Sequence, residues 1–154
     1  MSITINTTIN GNAVTASTEP SMSLLEFLRD TLEYKGTKLC CNTGECGACT
    51  VIYNGKPINS CVTLAADANG AEITTIEGLA EGDKLHPVQQ AFIDTGAVQC
   101  GYCTPGYIMS VKALLDRTKK PTQNDIEEAV SGNICRCTGY AKIVDAIQLA
   151  AQKL

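Results

Sequence analysis

Apolar and polar residues alternate along the first part of the chain, and this alternation predicts β-strands. Isoleucine occupies positions 3, 5 and 9, with threonine and asparagine between them, as in a strand with one buried face. Asn-Gly pairs at 10–11 and 54–55 are strong signals for tight hairpin turns. The pattern therefore predicts one hairpin at 3–15, a second at 50–61 and a closing strand at 72–76.

One helix is predicted within this region, over residues 23–33. Ser23 and Glu26 have the spacing of a capping box, in which each side chain bonds the backbone N–H of the other residue. Leu24, Phe27 and Leu28 then fall on one side of the helix, which we expect to be buried. The first 76 residues thus predict a small mixed sheet with one helix packed across it.

The spacing of apolar residues becomes helical after residue 76. A Gly-rich acidic stretch at 77–83 has the composition of a linker. Four short helices are predicted beyond it: one opening at Pro87, one following Pro105-Gly106, one capped by Thr122, and one from about Tyr140 to Lys153. The chain therefore predicts an α+β fold with two domains, 1–76 and 77–154, of which the second is a small four-helix bundle.

Composition narrows the class of protein. The net charge is −4 and no basic run is longer than Lys119-Lys120, which argues against a nucleic-acid partner. No apolar stretch reaches the roughly 18 residues that a membrane span requires. The first residues have neither the basic nor the apolar region of an export signal. We therefore predict a cytoplasmic protein with no membrane span.

Cysteine is far more frequent than in an ordinary globular chain, with nine residues in 154. In a protein that is not exported, such a count favours metal binding or redox chemistry over disulfides. The odd number also leaves one cysteine over in any scheme of pairs. Two four-thiolate sites and one spare cysteine fit the count better.

The clearest of these sites lies in the segment from Cys41 to Cys49. Cys41, Cys46 and Cys49 have the C-x4-C-x2-C spacing of plant-type ferredoxins, a pattern of [2Fe–2S] ligands that needs a fourth thiolate from farther along. Cys61 supplies it. Glycines at 44 and 47 suit a loop that must turn tightly and direct backbone N–H groups at sulfur. We predict a [2Fe–2S] site here.

A second group of four cysteines falls on two of the predicted interhelical connections. Cys100 and Cys103 lie in the first, and Cys135 and Cys137 in the second. This spacing by itself is equally consistent with a four-cysteine zinc site and with a [2Fe–2S] cluster. The ferredoxin-type loop upstream favours a second cluster, because it already commits the chain to electron transfer.

Three motifs occur together in a fixed order: GTKLCCNTGECGACTV at 36–51, QCGYCTPG at 99–106 and GNICRCTGY at 132–140. The set resembles the iron–sulfur subunit of the molybdenum hydroxylases, the xanthine dehydrogenase and aldehyde oxidase family. The resemblance covers essentially the whole chain. It implies an N-terminal β-grasp ferredoxin-like domain and a C-terminal four-helix domain that holds the second [2Fe–2S] cluster.

The resemblance also implies partners and a role. A large subunit would carry molybdopterin cytosine dinucleotide, and a medium subunit would commonly bind FAD. This chain would pass electrons from molybdopterin to FAD or another acceptor during hydroxylation of an aldehyde or N-heterocycle. The chain has no motif for a substrate pocket or for FAD and no catalytic acid or base, so catalysis would belong to the complex.

The family's functional positions carry over residue by residue. Cys41, Cys46, Cys49 and Cys61 match the ligands of the N-terminal cluster, and Cys100, Cys103, Cys135 and Cys137 match those of the C-terminal cluster. Gln99 matches a glutamine that contacts the pterin, and Cys137 matches the ligand nearest to it. Cys40 stands where a glycine or small residue is usual, and using it would change the x4 spacing, so it is left out of the ligand set.

Two other classes of function fit the cysteines. One is a free-standing two-cluster ferredoxin that carries electrons by diffusion. The other is a structural module held together by zinc or by disulfides. Visible absorption separates the cluster-bearing proteins from the structural module, and the mass of the native complex separates a subunit from a free-standing ferredoxin.

Overall fold

A five-stranded mixed sheet forms most of the first half of the computed structural model, which describes residues 2–154. Its strands lie in the order β2-β1-β5-β3-β4, and only the β1–β5 pair is parallel. Both Asn-Gly turns have positive φ at their two central residues, as tight hairpin turns require. The two hairpins and the closing strand are thereby confirmed, with these bounds: β1 Ile3–Ile9, β2 Asn12–Thr18, β3 Thr50–Tyr53, β4 Lys56–Asn59 and β5 Glu72–Thr74.

The predicted helix across the sheet is confirmed, but it is not a regular α-helix throughout. Helix α1, Leu24–Glu26, continues as a π-helical segment, Phe27–Thr31. The capping box is formed: Ser23 Oγ accepts the Glu26 N–H at 3.2 Å, and a Glu26 carboxylate oxygen accepts the Ser23 N–H at 3.0 Å. From the π-helical segment, Arg29 donates hydrogen bonds to carbonyl groups just ahead of the cysteine-rich loop.

Four helices follow in the second half: α2 Pro87–Asp94, α3 Thr104–Arg117, α4 Gln123–Val130 and α5 Ala141–Lys153. Pro105 and Gly106, expected ahead of the second of these helices, instead lie in the first turn of α3. Proline is tolerated there because the first N–H groups of a helix have no partner within it. Classification of these helices as a four-helix bundle stays a prediction. No helix within residues 2–154 is long and apolar enough to cross a membrane.

The two larger hydrophobic cores of residues 2–154 meet at strand β3. The first lies between the sheet and α1 and includes Ile9, Phe27 and Ile73. The second is centred on the buried face of α3 and also contains Ile52, which belongs to β3. The sheet and the helices therefore pack directly against each other, while the domain boundary at 76/77 stays a prediction.

Candidate functional site

The sheet brings Cys49 and Cys61 together. Cys49 immediately precedes β3, and Cys61 lies in the 3₁₀ turn Ser60–Val62 that follows β4. Because Thr50 of β3 pairs with Asn59 of β4, residues just outside the two strands lie side by side. The Cys49 carbonyl accepts the Ser60 hydroxyl at 2.7 Å, and both cysteines are buried in a small cluster with Leu25.

The other two cysteines predicted for the N-terminal cluster, Cys41 and Cys46, lie in the loop between α1 and β3. Cys41 Sγ accepts backbone N–H groups from Thr43 at 3.5 Å and from Cys46 at 3.4 Å. Gly44 and Gly47 have φ of +81° and +68°, so the prediction that this loop uses positive φ is confirmed. The hydrogen bonds from Thr43, followed by those from Cys46, lower the pKa of Cys41 to about 5. The loop thus directs N–H groups at a sulfur that would bear negative charge.

Cys40 differs from its neighbour. Its side chain is exposed, and the negative charge of the nearby Cys46 raises the pKa of its thiol. The Thr43 and Cys46 N–H groups point at Cys41 instead. This arrangement supports leaving Cys40 out of the ligand set, although the assignment itself stays a prediction.

The second group of cysteines assembles where the α2–α3 and α4–α5 connections meet. The sulfur atoms of Cys100 and Cys137 are 3.7 Å apart, and Cys103 lies beside Cys135. Burial, followed by the Cys135 thiol, raises the pKa of Cys103 to about 12. Burial acts to raise the pKa of Cys135, but hydrogen bonds from Thr138, followed by those from Cys137 and Cys103, together outweigh it and lower that pKa to about 7.

Several of the thiols lie in pairs. A zinc ion would need four sulfurs about 2.3 Å from a single point. A [2Fe–2S] cluster takes two cysteines on each iron, so its four ligands form two pairs. In this structure Cys49 lies beside Cys61, and Cys100 lies beside Cys137, as the two ligands of one iron would.

Backbone contacts tie the two cysteine-bearing regions to each other. The Ile134 N–H donates to the carbonyl of Cys46 at 2.9 Å. Ile134 directly precedes Cys135, so this hydrogen bond joins a cysteine of the first group to the neighbour of a cysteine of the second. The Tyr102 hydroxyl donates to the carbonyl of Leu39, again joining a loop of the second group to the loop of the first. The two candidate centres therefore belong to one packed unit.

Asn133 is the centre of this junction. It is buried; its amide N–H donates to the carbonyl of Gly47 at 3.0 Å and its side-chain oxygen accepts the Ser110 hydroxyl at 2.7 Å. Its own carbonyl accepts the Tyr107 hydroxyl at 2.5 Å. Each polar group of the junction is paired, as buried polar groups must be.

One side of the second group faces outward. Gln99, Cys100 and Cys137 are exposed, and large apolar side chains lie exposed on the same loops, with Tyr102 at 46% and Ile134 at 52% of full exposure.

Comparison with known proteins agrees with these observations. Residues 7–95 match the family described as "2Fe-2S iron-sulfur cluster binding domain", and residues 75–148 match "[2Fe-2S] binding domain". The chain is 50% identical to the nicotinate dehydrogenase small FeS subunit of Eubacterium barkeri over 98% of its own length and 96% of the relative's. The chain belongs to the iron–sulfur subunits of the molybdenum hydroxylase family.

Solved structures place the whole fold in this family. The quinoline 2-oxidoreductase of Pseudomonas putida 86 superposes with a TM-score of 0.95 at 41% identity, covering 98% of this chain and 94% of that one. The aldehyde oxidoreductase of Desulfovibrio desulfuricans gives 0.94 at 43% identity, but there the match covers 97% of this chain and only 17% of a much longer chain. As a member of the family, the chain is an iron–sulfur subunit of an oxidoreductase, and its α+β, ferredoxin-like fold is confirmed.

The sequence reasoning missed the residues that connect the two regions of this iron–sulfur subunit. Asn133, Ser110 and Tyr107 carry no signal by spacing or periodicity, because their partners are distant along the chain. Asn133 lies within the motif at 132–140, but a motif alone does not say what its polar residues contact. Thr138 and Tyr140, which hydrogen-bond around Cys135, were passed over for the same reason.

Proposed function

We propose that this chain is the electron-transfer subunit of a molybdenum hydroxylase complex and holds two [2Fe–2S] clusters. One observation carries the proposal: Cys49 lies beside Cys61 and Cys100 lies beside Cys137, and the loops that carry these pairs are joined by the Ile134–Cys46 hydrogen bond. Each cluster, when bound, takes up and releases one electron at a time. The chain's own residues fix the two sites in one packed unit.

The ligand assignment follows the two groups. Cys41, Cys46, Cys49 and Cys61 would hold the N-terminal cluster, in a region that we take as residues 1–76 with a β-grasp ferredoxin-like arrangement. Cys100, Cys103, Cys135 and Cys137 would hold the C-terminal cluster, in the helical region 77–154. The hydrogen bonds from backbone N–H groups to Cys41 support the first set, and the contact between Cys100 and Cys137 supports the second.

The C-terminal centre would face the molybdopterin. Gln99 and Cys137 match the positions that contact the pterin in this family, and both are exposed beside apolar side chains. The partner would be a large subunit carrying molybdopterin cytosine dinucleotide. The aldehyde oxidoreductase supports a large partner, because the part that matches this chain is only 17% of one much longer chain. FAD in a medium subunit, or another acceptor, would receive the electrons, and the complex would be cytoplasmic.

A free-standing two-cluster ferredoxin is the alternative. The exposed apolar residues around Cys100 and Cys137 favour the subunit, since a diffusing carrier would leave that surface in water. The native complex decides between them: a co-purifying large chain with stoichiometric molybdenum and cytidine nucleotide is expected. Recovery of the chain alone, with iron but no molybdenum, would favour the ferredoxin.

Replacing Gln99 by alanine tests the orientation of the chain within the complex. Gln99 is exposed and is not one of the predicted cluster ligands, so iron content and reduction by dithionite should be unchanged. Reduction of the clusters by substrate should slow by about tenfold, corresponding to loss of one hydrogen bond of about 1.4 kcal/mol. Rapid-mixing absorbance of the complex measures both rates.

Two results would contradict this orientation. Loss of iron from the Gln99→Ala protein would make Gln99 a residue that supports the cluster site. Unchanged reduction by substrate would show that Gln99 does not contribute to the pterin contact. Gln90, whose side chain donates to Asp94 within α2, provides a control, because Gln90→Ala removes the same type of side chain at a position that the pterin-contact prediction does not include.

A further inference from the structure

A ring of hydrogen bonds follows Cys135 in the α4–α5 connection. The Thr138 hydroxyl and N–H lie 3.0 and 3.4 Å from Cys135 Sγ. The Tyr140 N–H donates to the Thr138 hydroxyl oxygen at 3.4 Å, and the Tyr140 hydroxyl accepts the Cys135 N–H at 3.2 Å. Cys135, Thr138 and Tyr140 are thus joined in a closed ring of hydrogen bonds, and Cys135 is a predicted cluster ligand.

The backbone is strained where this ring closes. Tyr140 has φ of +70°, a conformation that aromatic residues rarely adopt because of contact between Cβ and the backbone. Such strain persists only where surrounding contacts impose it, and it concentrates at functional sites. Both ends of Tyr140 are hydrogen-bonded within the ring, so the ring supplies the contacts that hold this conformation.

We propose that the Thr138 hydroxyl, oriented by Tyr140, raises the reduction potential of the C-terminal cluster through a hydrogen bond to Cys135. This inference rests on the proposed function, because it requires Cys135 to be a cluster ligand. Thr138 is a tuning residue that acts through the ligand, and it contributes no ligand of its own.

The chemistry of the groups fixes the direction of the hydrogen bond. A thiolate ligand can only accept, and the Thr138 hydroxyl has one proton to donate. The hydroxyl oxygen already accepts the Tyr140 N–H, so its proton is directed at Cys135 Sγ. One-electron reduction adds one negative charge to the cluster, and a donor aimed at its sulfur stabilises the reduced form more than the oxidised form. The potential is therefore higher with the hydroxyl than without it.

The N-terminal loop offers a matched position. The Thr43 N–H donates to Cys41 Sγ at 3.5 Å, and the Thr43 side chain also hydrogen-bonds Cys41, as the Thr138 side chain does Cys135. The two threonines lie in different loops and beside different cysteines. Removing one hydroxyl should therefore shift the potential of one cluster and leave that of the other unchanged.

Redox titration of the purified complex, followed by electron paramagnetic resonance, tests the proposal. Thr138→Val replaces the hydroxyl by a methyl group of similar size, and it should shift the midpoint of the C-terminal signal to a more negative potential with full iron content. Thr138→Ser, which restores the hydroxyl, should return the midpoint toward its original value. Thr43→Val should shift only the other signal. The signals are assigned by the Cys41→Ser protein, which should lack the N-terminal one.

The outcomes separate this inference from the function on which it rests. A complex with only one cluster signal before any substitution would overturn both. Two signals whose midpoints do not move in Thr138→Val, or that move equally, would overturn the inference alone. Loss of iron from Thr138→Val would also overturn it, because Thr138 would then be needed to hold the cluster in place.

Discussion

Replacing Cys41 by serine should abolish the N-terminal cluster, whereas replacing Cys40 by alanine should leave it intact. Cys41 Sγ receives two backbone N–H groups, which would stabilise the negative charge of a thiolate ligand, and it preserves the x4 spacing to Cys46. Cys40 is exposed and is not needed for that spacing. Iron analysis should fall by about half in the Cys41→Ser protein, since one of two binuclear clusters is lost.

The two neighbouring cysteines serve as controls for each other, because they differ by one position in the same loop. Electron paramagnetic resonance of the reduced proteins should show one signal missing for Cys41→Ser and both present for Cys40→Ala. The reverse pattern would mean that the loop binds its cluster one residue earlier along the chain.

Replacing Gly106 by alanine should strongly destabilise the protein even though alanine favours helices. Gly106 lies in α3, and a Cβ there would overlap the carbonyl oxygen of Gly47 and press against Ala48. The overlapped atoms are backbone, so the two regions must move apart. We expect a cost of about 3 kcal/mol, which corresponds to a fall of roughly 10 °C in the apparent midpoint of thermal unfolding.

Gly132→Ala is the matched control for this steric effect. Gly132 borders the same junction, but a Cβ at that position meets no atom within 4 Å. The free energy of unfolding of the Gly132→Ala protein should differ from that of the unsubstituted protein by less than about 0.5 kcal/mol. If the Gly106→Ala protein unfolds at the same temperature as the unsubstituted protein, α3 does not pack closely against the Cys41–Cys49 loop.

Local patterns were sufficient to predict most of the elements. Asn-Gly turns, the Ser23–Glu26 capping box and the period of apolar residues depend on neighbours in sequence, so they fixed two hairpins, α1 and the helices of the second half. The cysteine spacing likewise indicated which residues would gather at each centre. Family resemblance then supplied the partners and cofactors, which spacing alone does not specify.

Long-range contacts account for what the sequence did not predict. The junction around Asn133 depends on a bond to Gly47, 86 residues away, and no local pattern encodes such a pair. The π-helical segment after Glu26 departs from the helical period used for prediction. Tyr140 at positive φ contradicts its local preference, because hydrogen bonds to Thr138 and Cys135 override it.

Metal and sulfide analysis of anaerobically purified protein tests whether this chain carries two [2Fe–2S] clusters. Eight ligand cysteines predict about four iron and four acid-labile sulfide per chain, with two distinguishable signals on reduction. About two iron per chain, or stoichiometric zinc, would show that the chain does not hold two [2Fe–2S] clusters.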